Sequence, residues 1–334
     1  MTAVLAAPGV AEAHGPVAPV ATSYLARLGH VPSGAQATIV DGYVRMWLRV
    51  APTVTIEILD YRGAPYLRFG ASGVKVNRNS EMYYLNQTPF PQAPPPGLTR
   101  STPPRWLAVS GGHDYEWHDG RLQALASVAL TSGRSYVGSW RIPLLINGRP
   151  AALSGTLWHA EHPSIVWFWP IVVALACVLA AWRLRRPKLD VRVARGLGVT
   201  ALVALGVGAI GRGLHGRPDL SVLEVAELAA TLAFVAWGLR HLALGRPGYF
   251  AYLLIAAGAI WEGLELLPTL LNGFVLIALP AFVARSATVL CLAASAALLP
   301  LVFRLADLPQ AVSARAGHPA AVPHHADSED HDGT

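Results

Sequence analysis

The sequence predicts an all-β sandwich, of the immunoglobulin-like or cupredoxin-like type, followed by an α-helical membrane domain of about five spans. The prediction rests on an uneven distribution of apolar residues along the 334-residue chain. Residues 14–163 are rich in Tyr, Trp, Pro and Gly, whereas residues 164–303 are almost entirely apolar. Overall 53% of the residues are hydrophobic and 14% are charged, a composition too apolar for an ordinary soluble protein.

Residues 1–13 are predicted to be a signal peptide. Ala11 and Ala13 provide the small side chains that signal peptidase requires before the bond it cuts, so the mature chain would begin at His14. Because no basic residue precedes the short apolar stretch, we expect the translation start to lie upstream. Cleavage would give His14 a free α-amino group beside its imidazole, and these two nitrogens can chelate a transition metal.

Residues 14–163 are predicted to form the extracytoplasmic sandwich. Asn147 and Gly148 lie between the last two predicted strands and are a strong hairpin signal. Residues 92–96 and 101–104 are proline-rich connections, since proline cannot donate a hydrogen bond within a sheet. Stretches of β-branched and aromatic residues bounded by turn residues predict strands at 37–40, 44–50, 54–60, 66–69, 82–85, 106–109, 136–145 and 152–158.

The apolar half of the chain is predicted to cross the membrane about five times, because each apolar segment approaches the roughly 20 residues that a spanning helix needs. Residues 270–282 are apolar but are interrupted by Asn272, Gly273 and Pro280, so we expect a loop at the membrane interface. Residues 304–334 are predicted to be a disordered, His-rich tail. The predicted spans are 164–182, 196–211, 220–239, 249–267 and 284–303.

The distribution of basic residues predicts the orientation in the plasma (cytoplasmic) membrane. Lys and Arg concentrate in the segments that follow the first and third predicted spans and in the tail, which marks these segments as cytoplasmic. The β domain would then lie outside and the C-terminus inside. The same placement accounts for the net charge of +6 without a nucleic-acid partner.

A second group of candidate metal ligands lies in the segment 113–119. Strand alternation would place Glu116 and His118 on one face, and an acid and a histidine two residues apart can bind one ion together. His113 is a further candidate, and His159 and His162, at the entry to the membrane, are weaker ones. The alternative is a polar loop whose side chains bind backbone amides.

Ionisable residues inside the predicted spans form a second candidate site. Two pairs of glutamates are spaced i, i+3, so that both carboxylates of a pair share a helix face, and the topology places both pairs in the outer half of the membrane. One interpretation is an ion-pair cluster that fixes helix packing. The other is a cation or proton site beneath the β domain. The residues are Glu224, Glu227, Glu262, Glu265 and Arg285.

The closing hairpin of the predicted sandwich resembles that of periplasmic copper-resistance carrier proteins. The resemblance implies a β-sandwich whose N-terminal histidine binds Cu(II) together with an acid-x-His pair, here His14 with Glu116 and His118. Zinc is a possible substitute. The chain also resembles actinobacterial-type membrane proteins with stretches similar to 76–80, 83–86 and 115–121. The residues that carry the first resemblance are Tyr136, Trp140-Arg141-Ile142, Asn147-Gly148-Arg149-Pro150 and Ser154-Gly155-Thr156-Leu157.

These observations predict a membrane-anchored, extracytoplasmic copper-binding protein that captures or transfers the ion in copper homeostasis. The alternative is a non-catalytic envelope assembly or interaction protein whose β domain docks another envelope or membrane protein. The sequence has no phosphate-binding loop, nucleophile elbow, His-Glu-x-x-His motif or dinucleotide fingerprint, and we predict that it is not an enzyme. Copper oxygenase chemistry at His14 is a third hypothesis.

Overall fold

The structure is a computed structural model that describes residues 19–87, 91–126, 135–184, 187–215, 221–244 and 248–306. The predicted signal peptide, His14 and nearly all of the predicted tail lie outside the described residues. The described chain divides, as predicted, into a β domain followed by apolar helices.

The β domain contains eleven of the strands that the structure describes, and a twelfth comes from a loop between two membrane helices. All strand pairings are antiparallel. The strands are Ala21–Thr22 (β1), Tyr24–His30 (β2), Ala35–Val40 (β3), Arg45–Val50 (β4), Ile56–Leu59 (β5), Pro65–Gly70 (β6), Gly73–Asn77 (β7), Trp106–Ser110 (β8), Asp114–His118 (β9), Ser135–Ile146 (β10), Arg149–His159 (β11) and Phe274–Val275 (β12).

Two sheets provide the core of the β domain. A seven-stranded sheet has the order β2-β11-β10-β5-β6-β7-β8, and a three-stranded sheet has the order β3-β4-β9. Their apolar faces meet, as shown by Phe69 and Trp117, whose ring centroids are 6.3 Å apart between the sheets. Alternate residues of β5, β10 and β11 are buried here, and burial of a large apolar side chain stabilises the fold by about 1.5–3 kcal/mol. The multi-sheet β domain is confirmed, and the immunoglobulin-like or cupredoxin-like type stays a prediction.

The predicted hairpin at Asn147 and Gly148 is confirmed. Both residues adopt positive φ, 48° and 79°, as the tight turn between β10 and β11 requires. The turn is also held to β5, because the Asn147 backbone N–H donates to the Thr55 carbonyl at 2.8 Å and the Thr55 N–H donates to the Asn147 side chain at 2.9 Å. The closing hairpin is therefore anchored to the centre of the sheet.

The predicted strand at 82–85 is wrong, because Glu81–Leu85 forms a short helix, α1. The chain turns immediately before it, where the Asn77 side chain accepts hydrogen bonds from the backbone N–H groups of Asn79 and Arg105 at 2.9 and 2.8 Å. The Met82 side chain of this helix is completely buried in the core. Tyr83 and Tyr84, the aromatic residues that suggested a strand, therefore belong to a short helix.

Three helices in the described part of the chain are long and apolar enough to cross a membrane: Leu189–Gly213, Val222–Ala243 and Ala281–Arg304. The predicted spans 164–182 and 249–267 are also helical, but the helices there, Trp169–Leu184 and Tyr249–Glu265, have 16 and 17 residues. The helices are Trp169–Leu184 (α2), Pro187–Gly213 (α3), Val222–Ala243 (α4), Tyr249–Glu265 (α5), Pro268–Leu271 (α6) and Ala281–Ala306 (α7).

Helix α7 lies at the centre of the helical part and packs against α2, α3 and α5. Small and aliphatic residues let these helices approach closely, among them Ala201, Ala256 and Ala294, all buried. Helix α4 packs mainly on α3 and exposes most of its apolar surface. Such a surface is compatible with a lipid bilayer.

Gly155 of β11 provides a test of the sandwich packing. A Cβ at this position would overlap the Arg27 carbonyl and the Trp140 ring. We expect Gly155→Ala to lower the free energy of unfolding of the β domain by about 1–3 kcal/mol. Denaturant unfolding of the full chain, followed by tryptophan fluorescence, measures the change. Gly111→Ala, in open space, is the control, and equal stability of the two variants would contradict the packing described.

Candidate functional site at the domain junction

The junction between the β domain and the membrane helices is built from backbone pairing. Strand β1, at the start of the domain, pairs with β12, which lies in the loop predicted at the membrane interface. Ala21 lies opposite Val275 and Thr22 opposite Phe274. The Leu276 N–H extends this pairing by donating to the Val20 carbonyl at 2.7 Å. The two parts of the chain therefore share a small sheet.

Side chains on both sides of this small sheet strengthen the contact. Ser23 donates its hydroxyl to Oδ1 of Asn272 at 3.1 Å. His162, in the linker that leads to α2, donates from Nδ1 to the Leu271 carbonyl. Gly273 lies against the backbone of Ala160, where a Cβ would overlap it. The start of the domain, its exit linker and the α6–α7 loop thus meet at one place.

Arg285, near the start of α7, holds the α6–α7 loop. Its Nε donates to the Thr269 carbonyl at 2.9 Å, and its Nη2 donates to the carbonyls of Asn272 and Gly273, both at 3.3 Å. These carbonyls lie at the end of α6 and in the following loop, where helical partners are lacking. Arg285, which was predicted to join a glutamate cluster, therefore contacts backbone carbonyls.

Glu262 forms a buried ion pair with Arg212 between α5 and α3. Nε and Nη2 of Arg212 donate to the two carboxylate oxygens at 3.1 and 2.8 Å, and the Glu262 side chain is 3% exposed. Glu227 of α4 approaches the same guanidinium at 3.8 Å from an exposed position. This geometry joins three helices at the end that bears the β domain.

The remaining two predicted glutamates have different surroundings. Glu224 forms a capping box with Ser221 at the start of α4, in which each side chain accepts from the other residue's backbone N–H. Glu265 lies three residues after Glu262, at the C-terminal end of α5. The described structure therefore brings Glu262 and Glu227 together around Arg212.

The predicted ligand pair lies on strand β9. Glu116 forms an ion pair with Arg45 at 3.1 Å, and Arg45 also contacts Asp41 at 3.2 Å. The Gln123 side-chain amide donates to Nε2 of His118 at 2.9 Å, so Nε2 accepts. Burial lowers the pKa of His118, an effect that Arg45 reinforces and Asp119 opposes. The imidazole is therefore held neutral.

Asp114 and Asp119, which flank Glu116 and His118 in the sequence, form contacts that stabilise the fold. Asp119 is completely buried and accepts hydrogen bonds from the indole N–H of Trp117 at 2.9 Å and from the Arg121 guanidinium at 2.7 and 2.8 Å. Arg121 also donates to the Leu59 carbonyl of the other sheet at 2.7 Å. Asp114 contacts Arg49 at 3.5 Å. In the residues described, no three His, Cys, Asp or Glu side chains form a group that could hold a metal.

Three of the other predicted histidines, His113, His159 and His162, are among the described residues, and each contributes to a different part of the structure. His113 lines a pocket of about 550 Å³ at the end of β4, together with Asp114 and Arg49. His159 packs against the Tyr24 ring with centroids 5.0 Å apart. His162 contributes to the junction, and His14 lies outside the described residues.

A buried polar network between β5, β6 and α1 was not predicted. Asp60 accepts from the backbone N–H groups of Arg62 and Ala64 and from the Ser80 hydroxyl, all within 2.9 Å. Glu81 pairs with Arg62 at 2.7 Å, and burial together with Asp60 raises the pKa of Glu81 against the effect of Arg62. The Asp-x-Arg-Gly sequence at 60–63 is a turn signal that could have indicated the first half of this network.

No family model, curated protein or solved structure matches this chain. The geometry of the junction and the surfaces that it holds in place are therefore the basis of the proposed function. The resemblance to copper-resistance carriers stays a prediction.

Substitutions of Arg212 and Glu262 test how much this ion pair stabilises the helices next to the junction. Glu262→Met leaves a buried guanidinium without its main partner, and we expect a loss of about 3–5 kcal/mol in stability. The double variant Arg212→Met/Glu262→Met should recover much of this loss, because no unpaired charge is left buried. Thermal unfolding of the purified protein in detergent measures both changes.

Glu227→Gln is the matched control for this series. Its carboxylate is exposed and 3.8 Å from Arg212, so its removal should cost at most about 1 kcal/mol. A double variant less stable than Glu262→Met would contradict the assignment of the pair as a buried, mutually neutralising contact.

Proposed function

We propose that this protein is a multi-pass cell-envelope membrane protein whose outer β domain docks another protein on the exposed face of its seven-stranded sheet. The observation that carries the proposal is two groups of aromatic and arginine side chains on that face. The junction holds this face in a fixed position relative to the membrane helices. The proposal includes five spans, with the β domain outside and the C-terminus in the cytoplasm, as the positive-inside rule indicates.

One part of the exposed face lies on β2, β11 and β10. Tyr136 is 52% exposed and packs edge-on against Trp158, with ring centroids 5.6 Å apart. The Arg27 guanidinium lies over the Trp158 ring at 5.2 Å. Leu157, next to Trp158 in β11, is completely buried in the core, so strand alternation places Trp158 on the opposite, outer face.

A second part of the same face lies on β5, β6 and β8. Arg68 pairs with Glu57 at 2.6 Å and stacks over the Trp106 ring at 4.3 Å. The register places Glu57 opposite Leu145 of β10, so this second part lies toward the other end of β10 from Tyr136. Trp, Tyr and Arg are the residues that contribute most binding energy at protein interfaces, since they combine large contact area with directed hydrogen bonds.

Site-specific photo-crosslinking in cells tests this function. We expect a photoreactive phenylalanine analogue at Tyr136 to give one discrete crosslinked species, and Arg27→Ala to reduce its yield several-fold. The control position is Gln36, which is exposed on the three-stranded sheet. Arg49→Ala is the control substitution, because Arg49 also lies over a tryptophan, Trp47, but on that other sheet. Equal crosslinking from positions 136 and 36 would contradict the proposal.

A second candidate function is copper capture, and the surroundings of His118 favour it. Burial keeps this imidazole neutral, the form that binds metals, and Glu116 lies on the same strand two residues away, beside Arg45. These residues supply two ligands, and a copper site would need His14 as the third. Copper binding would also require Glu116 to leave its ion pair with Arg45.

Titration with Cu(II) of the purified protein processed to begin at His14, followed by electron paramagnetic resonance, tests copper capture. We expect His118→Ala and His14→Ala each to weaken binding by at least about tenfold. His30→Ala, an exposed histidine at the end of β2, is the control. Affinity and spectra that are unchanged in His118→Ala would contradict a copper site on this strand.

A further inference from the structure

We propose that the junction contains a phospholipid site, with Arg285 binding the phosphate and a groove between α2 and α7 holding an acyl chain. This site is separate from the docking face of the β domain. It combines a cation, a pocket with charged lining residues and an apolar groove that adjoin one another.

The cation is Arg285. All three of its hydrogen bonds go to backbone carbonyls, through Nε and Nη2. Within the part of the chain that the structure describes, no carboxylate lies within 4.0 Å of its guanidinium, and Nη1 donates to no protein acceptor. A half-buried guanidinium that keeps its full charge favours an anionic partner, and the planar fork matches a phosphate.

The pocket that Arg285 lines has a volume of about 390 Å³ and also contains the charged residue Glu161. Its walls come from the linker after β11 and from the α6–α7 loop, so it lies at the boundary between the β domain and the membrane helices. Glu161 lines the same pocket but is not within ion-pair distance of Arg285. A zwitterionic headgroup such as phosphoethanolamine complements this pair, with its phosphate toward Arg285 and its amine toward Glu161.

An apolar groove of about 610 Å³ adjoins the pocket along α7. Ala281 and Arg285 line the pocket, and the residues that follow them, Phe282 and Ser286, line the groove. Trp167 packs edge-on against Phe282, with ring centroids 5.6 Å apart, and both residues line the groove. Val289 and Leu290 continue the groove one turn further into the helical part.

A phospholipid is the ligand that fits the cation, the pocket and the groove together. Its phosphate would neutralise Arg285 at the membrane boundary, and its acyl chain would extend along α7 in the direction in which the bilayer becomes apolar. Aromatic side chains at the groove entrance are typical of the headgroup level of a membrane. A free phosphate would use only the pocket, and a neutral diacylglycerol would use only the groove.

Native mass spectrometry of the full-length protein, reconstituted with defined lipids and released from detergent, tests the site. Dioleoylphosphatidylethanolamine should remain bound as a discrete adduct, whereas dioleoylglycerol and inorganic phosphate should not. Arg285→Gln should lower the retained lipid about tenfold, as expected for the loss of a hydrogen-bonded charge. Arg192→Gln, which removes an exposed arginine of α3 outside the pocket, should change nothing.

A groove variant keeps the test valid if Arg285→Gln fails to fold. Leu290→Trp leaves Arg285 in place and obstructs the groove, so it should reduce retention to a similar extent. Its control is Leu223→Trp, at an exposed position on α4 outside the groove. Retention unchanged in a folded Arg285→Gln or Leu290→Trp variant, or equal retention of dioleoylglycerol, would overturn the proposal.

Discussion

The backbone pairing of Ala21–Thr22 with Phe274–Val275 is the contact on which the rest of the architecture depends. Backbone N–H and C=O groups near a membrane boundary are costly unless they are paired, and here each part of the chain supplies partners for the other. Arg285 satisfies three further carbonyls of the same loop. The β domain is consequently joined to the helices at its start as well as at its covalent exit.

Arg212 and Arg285 have different roles near this junction. Arg212 neutralises Glu262 inside the helices, where an unpaired charge of either sign would be strongly destabilising. Arg285 instead binds carbonyls and keeps its charge. The difference follows from position, since Arg212 faces a buried carboxylate between helices and Arg285 borders a pocket at the membrane boundary. The first arginine stabilises packing, and the second is available to a ligand.

In the β domain, too, the residues that stabilise the fold differ from those that are proposed to bind a partner. Acids in and around β9, such as Asp119, are used in buried hydrogen bonds that hold the two sheets together. The exposed face of the larger sheet carries Trp158, Tyr136 and Arg27 in contact with one another. Because the junction fixes the domain on the helices, this face would meet a partner in one orientation, which lowers the entropy lost on docking.

Local sequence patterns were sufficient to predict several features of the fold. The division at residue 164, the turn at Asn147 and Gly148 and the helices α3, α4 and α7 follow from composition, turn chemistry and length. The pairing of charges and the contact between the two parts depend instead on segments that are distant in the chain. Ser23 and Asn272 are 249 residues apart, and Glu262 was predicted to lie near Arg285 but binds Arg212. No local pattern specifies such partners, because they are chosen by how the helices and sheets pack.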